Sequence, residues 1–469
     1  MTLGPAVDAL AVWLSGGDPA WWAIGLAAAA VWALPLMAVV LPIAALGQII
    51  ERKVAAAMQR RLGPNSVGLD GVVRLVVRLS LPFVSRAGQD RLIGRISSLP
   101  GMSLFRTLGL GQLAADGVKM LGKEDIIPAG ADGWVFRLAP YLALTGAFLP
   151  FAAIPFAQNV VALEVPVGAL YAIAVSGISV MALLMAGWGS GNKFSMLGGM
   201  RAVAQVVSYE IPVGLAIAGV VLWCGTMDLH GIVAHQYNGS WASFLGWNIF
   251  QSPFLLLLAC VLFFAGLAEC QRTPFDMAEA ESELVSGFNT EYSGMRWGMF
   301  AMAEYSEMIL VGAILSTLFL GGYQSPIFEN VIVALPVWLE TLIHVGILLA
   351  KFTTVLVIMV WIRWTLPRFR VDQVMRLCWL TLVPLCLFAL FGLALTMLIP
   401  SLVMPADAQA TILGVAYGRL PAMPHLALGL VGHALVWIVP LALGFLLVIA
   451  ARRKHGRQHP ALTQLTGGA

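Results

Sequence analysis

Apolar residues fill this chain in runs near twenty residues long, without the strict alternation that a half-buried strand requires. Candidate spanning segments cover Trp22 to Ile49, Leu138 to Phe156, Val165 to Trp188, Ala202 to Trp223, Phe250 to Ala268, Met299 to Leu320, Leu339 to Trp361, Leu380 to Ile399 and Ala427 to Ala450. Lipid offers backbone amides no partners, so runs of this length cross a bilayer as helices. The pattern predicts an all-α polytopic membrane protein of about nine transmembrane helices plus cytoplasmic interfacial helices. Composition agrees, with 59% hydrophobic and 11% charged residues and a mean hydropathy of +0.87, outside the balance of soluble domains. The amino terminus lacks the basic start of a cleaved signal peptide, so the first long apolar segment is expected to be retained.

Charge then orients the spans. Lys and Arg gather at 52–61, 119–137, 193–201, 272–296, 363–376 and 452–457, all on one side if the amino terminus faces out, whereas the opposite loops hold only Arg419 of the 27 Lys and Arg residues. Basic loops mark the cytoplasmic side, so the net charge of +3 reports topology and gives no reason to expect nucleic acid. Residues 69–106 mix Val and Leu with Arg74, Arg78, Arg86, Arg91, Arg95 and Arg106, which suits interfacial helices or, equally, a basic solvated surface. Gln112 to Lys123 reads as an amphipathic surface helix. The glycines before it mimic a nucleotide fingerprint, but no strand precedes them and no βαβ unit follows. The five cysteines include no CxxC pair and the seven histidines lack ligand spacing, so no iron–sulfur cluster or metal is expected. His344, in an apolar run, reads as a packing or hydrogen-bonded residue.

Carboxylates near or inside spans are costly and so are functional candidates. Glu51 sits beside Arg52 and Lys53, Glu210 precedes Pro212, Glu304 and Glu307 share one segment, and Lys351 lies mid-segment in another. Structural ion pairs are the plain alternative, strongest for Glu51. The densest loop runs from Glu269 to Glu283, where Thr273-Pro274 has the form of an N-cap and first helical residue. A helix starting there sets Asp276, Glu279 and Glu283 on one face, close enough to share protons. A solvated acidic loop fits the composition equally well.

With these residues in place, the chain resembles the H-subunit family of bacterial NADH:quinone oxidoreductases, counterparts of mitochondrial complex I subunit 1. The resemblance rests on Glu51-Arg52-Lys53-Val54 to Gln59, Gly63-Pro64-Asn65, Lys123 to Asp132, Ser208-Tyr209-Glu210-Ile211-Pro212, Glu269 to Asp276, Glu279 to Glu283, Ser286 to Met295 and Pro367 to Gln373. It implies a membrane subunit that forms much of a quinone-binding cavity and couples quinone reduction to proton translocation. By motif, it implies Glu51, Arg52, Arg272, Asp276, Arg296 and Arg370 near the quinone cavity. It implies Glu210, Glu269, Glu279, Glu281, Glu283, Glu291 and Glu304 on a proton or charge-coupling path. Quinone is then the substrate, while NADH, FMN and iron–sulfur clusters belong to partner subunits, and the isolated chain has no turnover. The implied partners are other complex I subunits, soluble and membrane-embedded, and lipid, in a bacterial-type cytoplasmic membrane. Membrane subunits of energy-converting hydrogenases share part of the acidic loop. An independent cation or proton transporter would explain the intramembrane carboxylates but not the charged loop motifs.

The domain reading is an outward segment 1–21, a membrane domain 22–400 of the type just named with an insertion near 69–106, and an extension 401–469 with an extra span and a basic cytoplasmic tail. Two positions depart from the family pattern: Leu380 stands where Lys is frequent after Trp, and Glu307 where Asn is common. Cysteines introduced between Arg452 and His459 are expected to react with reagent from the cytoplasmic side, and cysteines between Gly4 and Pro19 from the outside. Labelling of both termini from one side would contradict the odd number of spans.

Overall fold

The computed structural model describes residues 34–64, 86–97, 109, 111–237, 243–278 and 281–403. Among them the chain is helical, without strands, in keeping with the predicted class. The long elements are α1 Leu34–Met58, α2 Arg86–Ser97, α3 Gly111–Gly122, α4 Gly133–Phe148, α5 Gly168–Gly189 and α6 Lys193–Cys224. They continue with α7 Leu229–His235, α8 Pro253–Glu269, α9 Gly294–Phe319, α10 Val337–Thr365, α11 Val371–Arg376 and α12 Val383–Val403. Six helical stretches among the described residues are long and apolar enough to cross a membrane: α4 with its continuation to Ala153, α5, α6, α9, α10 and Val371–Leu398. α8 is a shorter apolar helix. The expectation of about nine spans is thus not reached within the described residues. The first expected span is described only from residue 34, and the ninth, Ala427 to Ala450, lies outside them together with segment 1–21.

Local chemistry sets the ends. Asp132 accepts from the Trp134 N–H to start α4, and Asn192 accepts from the Phe194 N–H to start α6. Ser252 caps α8, whose first residue is Pro253, where a missing N–H is harmless. Gly225 ends α6 in the left-handed region at φ 71°, a conformation in which side chains other than glycine are strained. α1 runs past Glu51 to Met58, so Glu51 lies inside a helix. Helix α2 falls within the predicted insertion, with Gln89 and Ile93 buried and Leu92 exposed.

α9 is the centre of the bundle, with 72% of its apolar window buried, against 22% for α5. Alternate crossing of α8, α9 and α10 puts the end of α8, the start of α9 and the end of α10 at one face, with the opposite ends at the other. Helix α3 packs on α1 and α9 and exposes Val118 and Leu121, as its predicted amphipathic character requires. Pro212 has no N–H for the Ser208 carbonyl one turn back, and the Cys378 thiol takes that place at 3.1 Å. Cys378 reaches it from a π-helical turn, Leu377–Leu382, ahead of α12. The helix therefore continues through Pro212 without a break.

Small residues permit the closest approaches. A Cβ added at Gly198 would stand 2.6 Å from the Gly287 Cα and 2.8 Å from the Phe288 N. Gly198→Ala is expected to destabilise the protein by about 1–3 kcal/mol, whereas Gly214→Ala, whose Cβ meets nothing within 4 Å, should not. Thermal midpoints of the purified assembly check this, and equal losses in both variants would contradict the packing.

Candidate functional site

The membrane face at which α1, α8 and α10 end gathers a compact set of charges. Glu51, two turns before the end of α1, is buried. It accepts a 2.7 Å hydrogen bond from the Tyr305 hydroxyl and pairs with Arg363 near the end of α10. Arg272, just past α8, lies 2.9 Å from the Glu304 carboxylate and 3.9 Å from that of Glu51. Its guanidinium also stacks 4.5 Å from the Tyr305 ring centre, a favourable cation–π geometry. Two carboxylates and two guanidinium groups thus neutralise one another under the apolar helices. Removing one member would leave a buried charge without compensation.

These groups wall a cavity of about 250 Å³, to which Gln48, Arg52, Asn289 and Trp297 also contribute. Arg52 lies at its edge and is held by Asp116 of α3 at 2.8 Å, and Asp116 in turn accepts from Gln112. Two smaller cavities continue inward. One, of about 20 Å³, is lined by Glu304 and Glu307 together with Ser179 and Cys270. The next, of about 40 Å³, is lined by Glu307, Glu269 and Glu210. Each is large enough for a water beside polar groups. Glu304 is common to the first and second cavities and Glu307 to the second and third, so carboxylates form a file from Glu51 to Glu210. Glu304 and Glu307 are three residues apart and so share a face of α9.

The remaining sequence-predicted residues lie elsewhere. Asp276 pairs with Arg368 at 2.9 Å, and Arg296 with Asp125 at 3.0 Å and the Phe136 ring face. Arg370 is exposed at the start of α11. Glu283 pairs with Arg201 at 2.7 Å, and Glu291 accepts from the Asn192 amide at 2.7 Å. Glu279 and the Glu281 side chain lie outside the described residues. The helix expected from Thr273-Pro274 does not form, and the next helical turn is Glu281–Leu284. Phe275 and Met277 are buried on a run of turns instead, in which the Phe275 N–H donates to the Arg272 carbonyl and the Met277 N–H to the Phe275 carbonyl. The backbone of this segment is also taken up by tertiary partners, since Gln205 donates to the Phe275 carbonyl and the Phe369 N–H to the Pro274 carbonyl.

Lys351 lies at the middle of α10, against the turn that follows α9. Its ammonium donates to the carbonyls of Leu320, Gly322 and Gln324 at 2.6, 2.7 and 2.6 Å, which uses all three of its donors. It thereby closes the chain end of α9. Sequence reasoning gave no role to Arg363, Tyr305 or Asp116, whose partners are distant in the chain. Glu307 was visible as a carboxylate in an apolar segment three residues from Glu304 and as a departure from the family pattern.

A double-variant comparison tests the cluster. Arg272→Gln leaves Glu51 and Glu304 facing each other with less compensation, so Arg272→Gln with Glu304→Gln should be more stable than the sum of single losses predicts. The expected coupling is about 1–3 kcal/mol, read from thermal midpoints. Strict additivity would show that Arg272 does not hold Glu304.

The chain is similar to known proteins along most of its length. The NADH dehydrogenase family model matches residues 31–80 and 75–394. The H subunit of NADH-quinone oxidoreductase from Anaeromyxobacter dehalogenans is 41% identical over 334 residues, covering 69% of this chain and 79% of the relative. The same subunit from Dehalococcoides mccartyi is 43% identical over 330 residues, covering 70% and 84%. That from Chlorobaculum tepidum is 37% identical over 402 residues, covering 84% and 98%.

Proposed function

This chain belongs to the NADH dehydrogenase family, and from that premise we propose that it walls the quinone site of a proton-translocating NADH-quinone oxidoreductase and relays the charge of quinone reduction through its carboxylate file. The 250 Å³ cavity bounded by Glu51, Arg272, Glu304 and Arg363 carries the proposal. It offers a polar, internally neutral wall beside which a reducible headgroup changes charge.

Reducing a quinone to its quinol takes up two electrons and two protons. Electrons arrive from NADH through FMN and iron–sulfur clusters on partner subunits, and this chain supplies the electrostatic response. Negative charge developing at the quinone draws Arg272 and Arg363 toward it and weakens their hold on Glu51 and Glu304. Both carboxylates then bind protons more readily. Closely spaced acids titrate as a group, so the change passes from Glu304 to Glu307 and on to Glu269 and Glu210. Asp276, Glu283 and Glu291 between α8 and α9, Arg296 in the first turn of α9 and Arg370 at the start of α11 adjoin the soluble partner subunits and sustain the same response, to which the family motif also assigns Glu279 and Glu281. The membrane is the bacterial cytoplasmic membrane, with this site on its cytoplasmic face.

Substitutions along the file test the reading in the assembled complex. Glu304→Gln and Glu269→Gln preserve shape and remove a titrating group. Oxidation of NADH by a hydrophilic artificial acceptor should stay within about twofold of wild type, because that electron path ends before this subunit. Quinone reduction and proton transport should both fall by about tenfold or more, comparable to the loss of a proton-transfer group. Wild-type quinone turnover and pumping in both variants, normalised to assembled complex, would refute the coupling role.

A further inference from the structure

A second buried titratable group lies at the face opposite the Glu51 cavity and takes no part in the carboxylate file. His344, in the second turn of α10, is 1% exposed. Its Nε2 stands 3.0 Å from Glu329 Oε1, and its Nδ1 faces Glu340 Oε1 at 3.9 Å without a hydrogen-bond partner. Glu329 is 2% exposed and Glu340 7%. The second Glu329 oxygen accepts from the Ser325 N–H at 2.6 Å, so that carboxylate is fixed from both sides. Along α10, roughly 28 Å of helix separates His344 from Arg363, nearly the thickness of a hydrocarbon core.

Proton counting gives this geometry its meaning. A neutral imidazole carries one N–H and one lone pair. With a carboxylate oxygen facing each nitrogen, one of the two contacts would set lone pair against anion in a buried place. One further proton, on the ring or on a carboxyl, removes that repulsion. The surrounding charges agree. Two carboxylates and a neutral imidazole leave two negative charges here and one further proton halves them, with Lys351 on the same helix as a further group acting on Glu329. Without the extra proton the group holds a net negative charge away from water, which is costly.

The other facing group is Tyr323, in the loop after α9, whose ring lies 5.2 Å from His344 and 6.1 Å from His230 of α7. Burial, and then Glu329 and Glu340, push its hydroxyl up, so it stays protonated and does not compete as a base. Glu340, in the first turn of α10, is the least buried member and the natural point of contact with water.

We propose that Glu329, His344 and Glu340 form a single-proton binding site that exchanges with water on the membrane side opposite the quinone cavity. Glu329 orients the imidazole, His344 carries the proton, and Glu340 passes it to solvent. The site stands on its own geometry and does not depend on the coupling role assigned to the carboxylate file.

pH-induced infrared difference spectroscopy on the assembled complex in sealed vesicles tests the proposal. Wild type should show imidazole and carboxyl bands titrating as one group when the pH is changed on the side opposite the soluble subunits. His344→Gln should abolish those bands. Glu340→Gln, a conservative change at the site's edge, should remove its carboxyl component from the difference spectrum. That variant alone decides the matter if His344→Gln does not assemble. Identical difference spectra in wild type and variants would overturn the proposal, and so would bands that follow only the pH on the soluble-subunit side.

Discussion

A charge sealed among apolar helices persists only where another group compensates it, and that constraint organises the interior of this protein. Arg272 between Glu51 and Glu304 is its clearest expression. The three side chains come from a loop and two helices, so the contact also fixes how α1, α8 and α9 meet. Arg363 brings in α10 through Glu51, and Tyr305 fills the space between with a ring under Arg272 and a hydroxyl on Glu51. Charge neutrality, helix packing and the walls of the polar cavity of about 250 Å³ are therefore one arrangement. A perturbation of its charge balance reaches four helical segments at once.

Much of the architecture was legible because periodicity and length are properties of contiguous sequence. The apolar runs anticipated α4 to α6 and α8 to α10, and the amphipathic pattern after Gly111 anticipated α3. Glu304 was visible as a charge in a costly place, and Arg272 as a loop residue that the family motif implied near the quinone cavity. Their pairing was not, because Arg363 reaches Glu51 across 312 residues of sequence and nothing local marks such a partner. The segment after Thr273 shows the opposite failure, since its local signal for a helix was clear. Burial of Phe275 and Met277 and backbone bonds to Gln205 and Phe369 outweighed it. Lys351 was visible as an intramembrane charge, but not that its three hydrogen bonds to carbonyls would clasp the end of α9.

The two faces of the bundle treat their carboxylates differently. At one, Glu304 and Glu307 open onto successive cavities, so the acids have room to exchange partners. At the other, Glu329 has both oxygens committed and His344 is enclosed. The first arrangement suits propagation of a change from group to group. The second suits retention of one proton in one place, against a polar lattice in which Gln236, Asn248 and Gln324 tie α7, the short helical turn Asn248–Gln251 and α9 together.

A π-helical turn contains one residue more than the α-helical turn it replaces, and the one at Leu377–Leu382 brings Cys378 to the carbonyl left free by Pro212. Loss of any single residue from that stretch would rewind it to ordinary α-helix. The thiol would then leave the Ser208 carbonyl, and every side chain of α12 would swing about 100° around the helix axis. Chain length at this point is therefore under tighter restraint than residue identity. Substitutions that keep the turn can accumulate here, but a one-codon deletion would present the wrong side of α12 to α6 and α8.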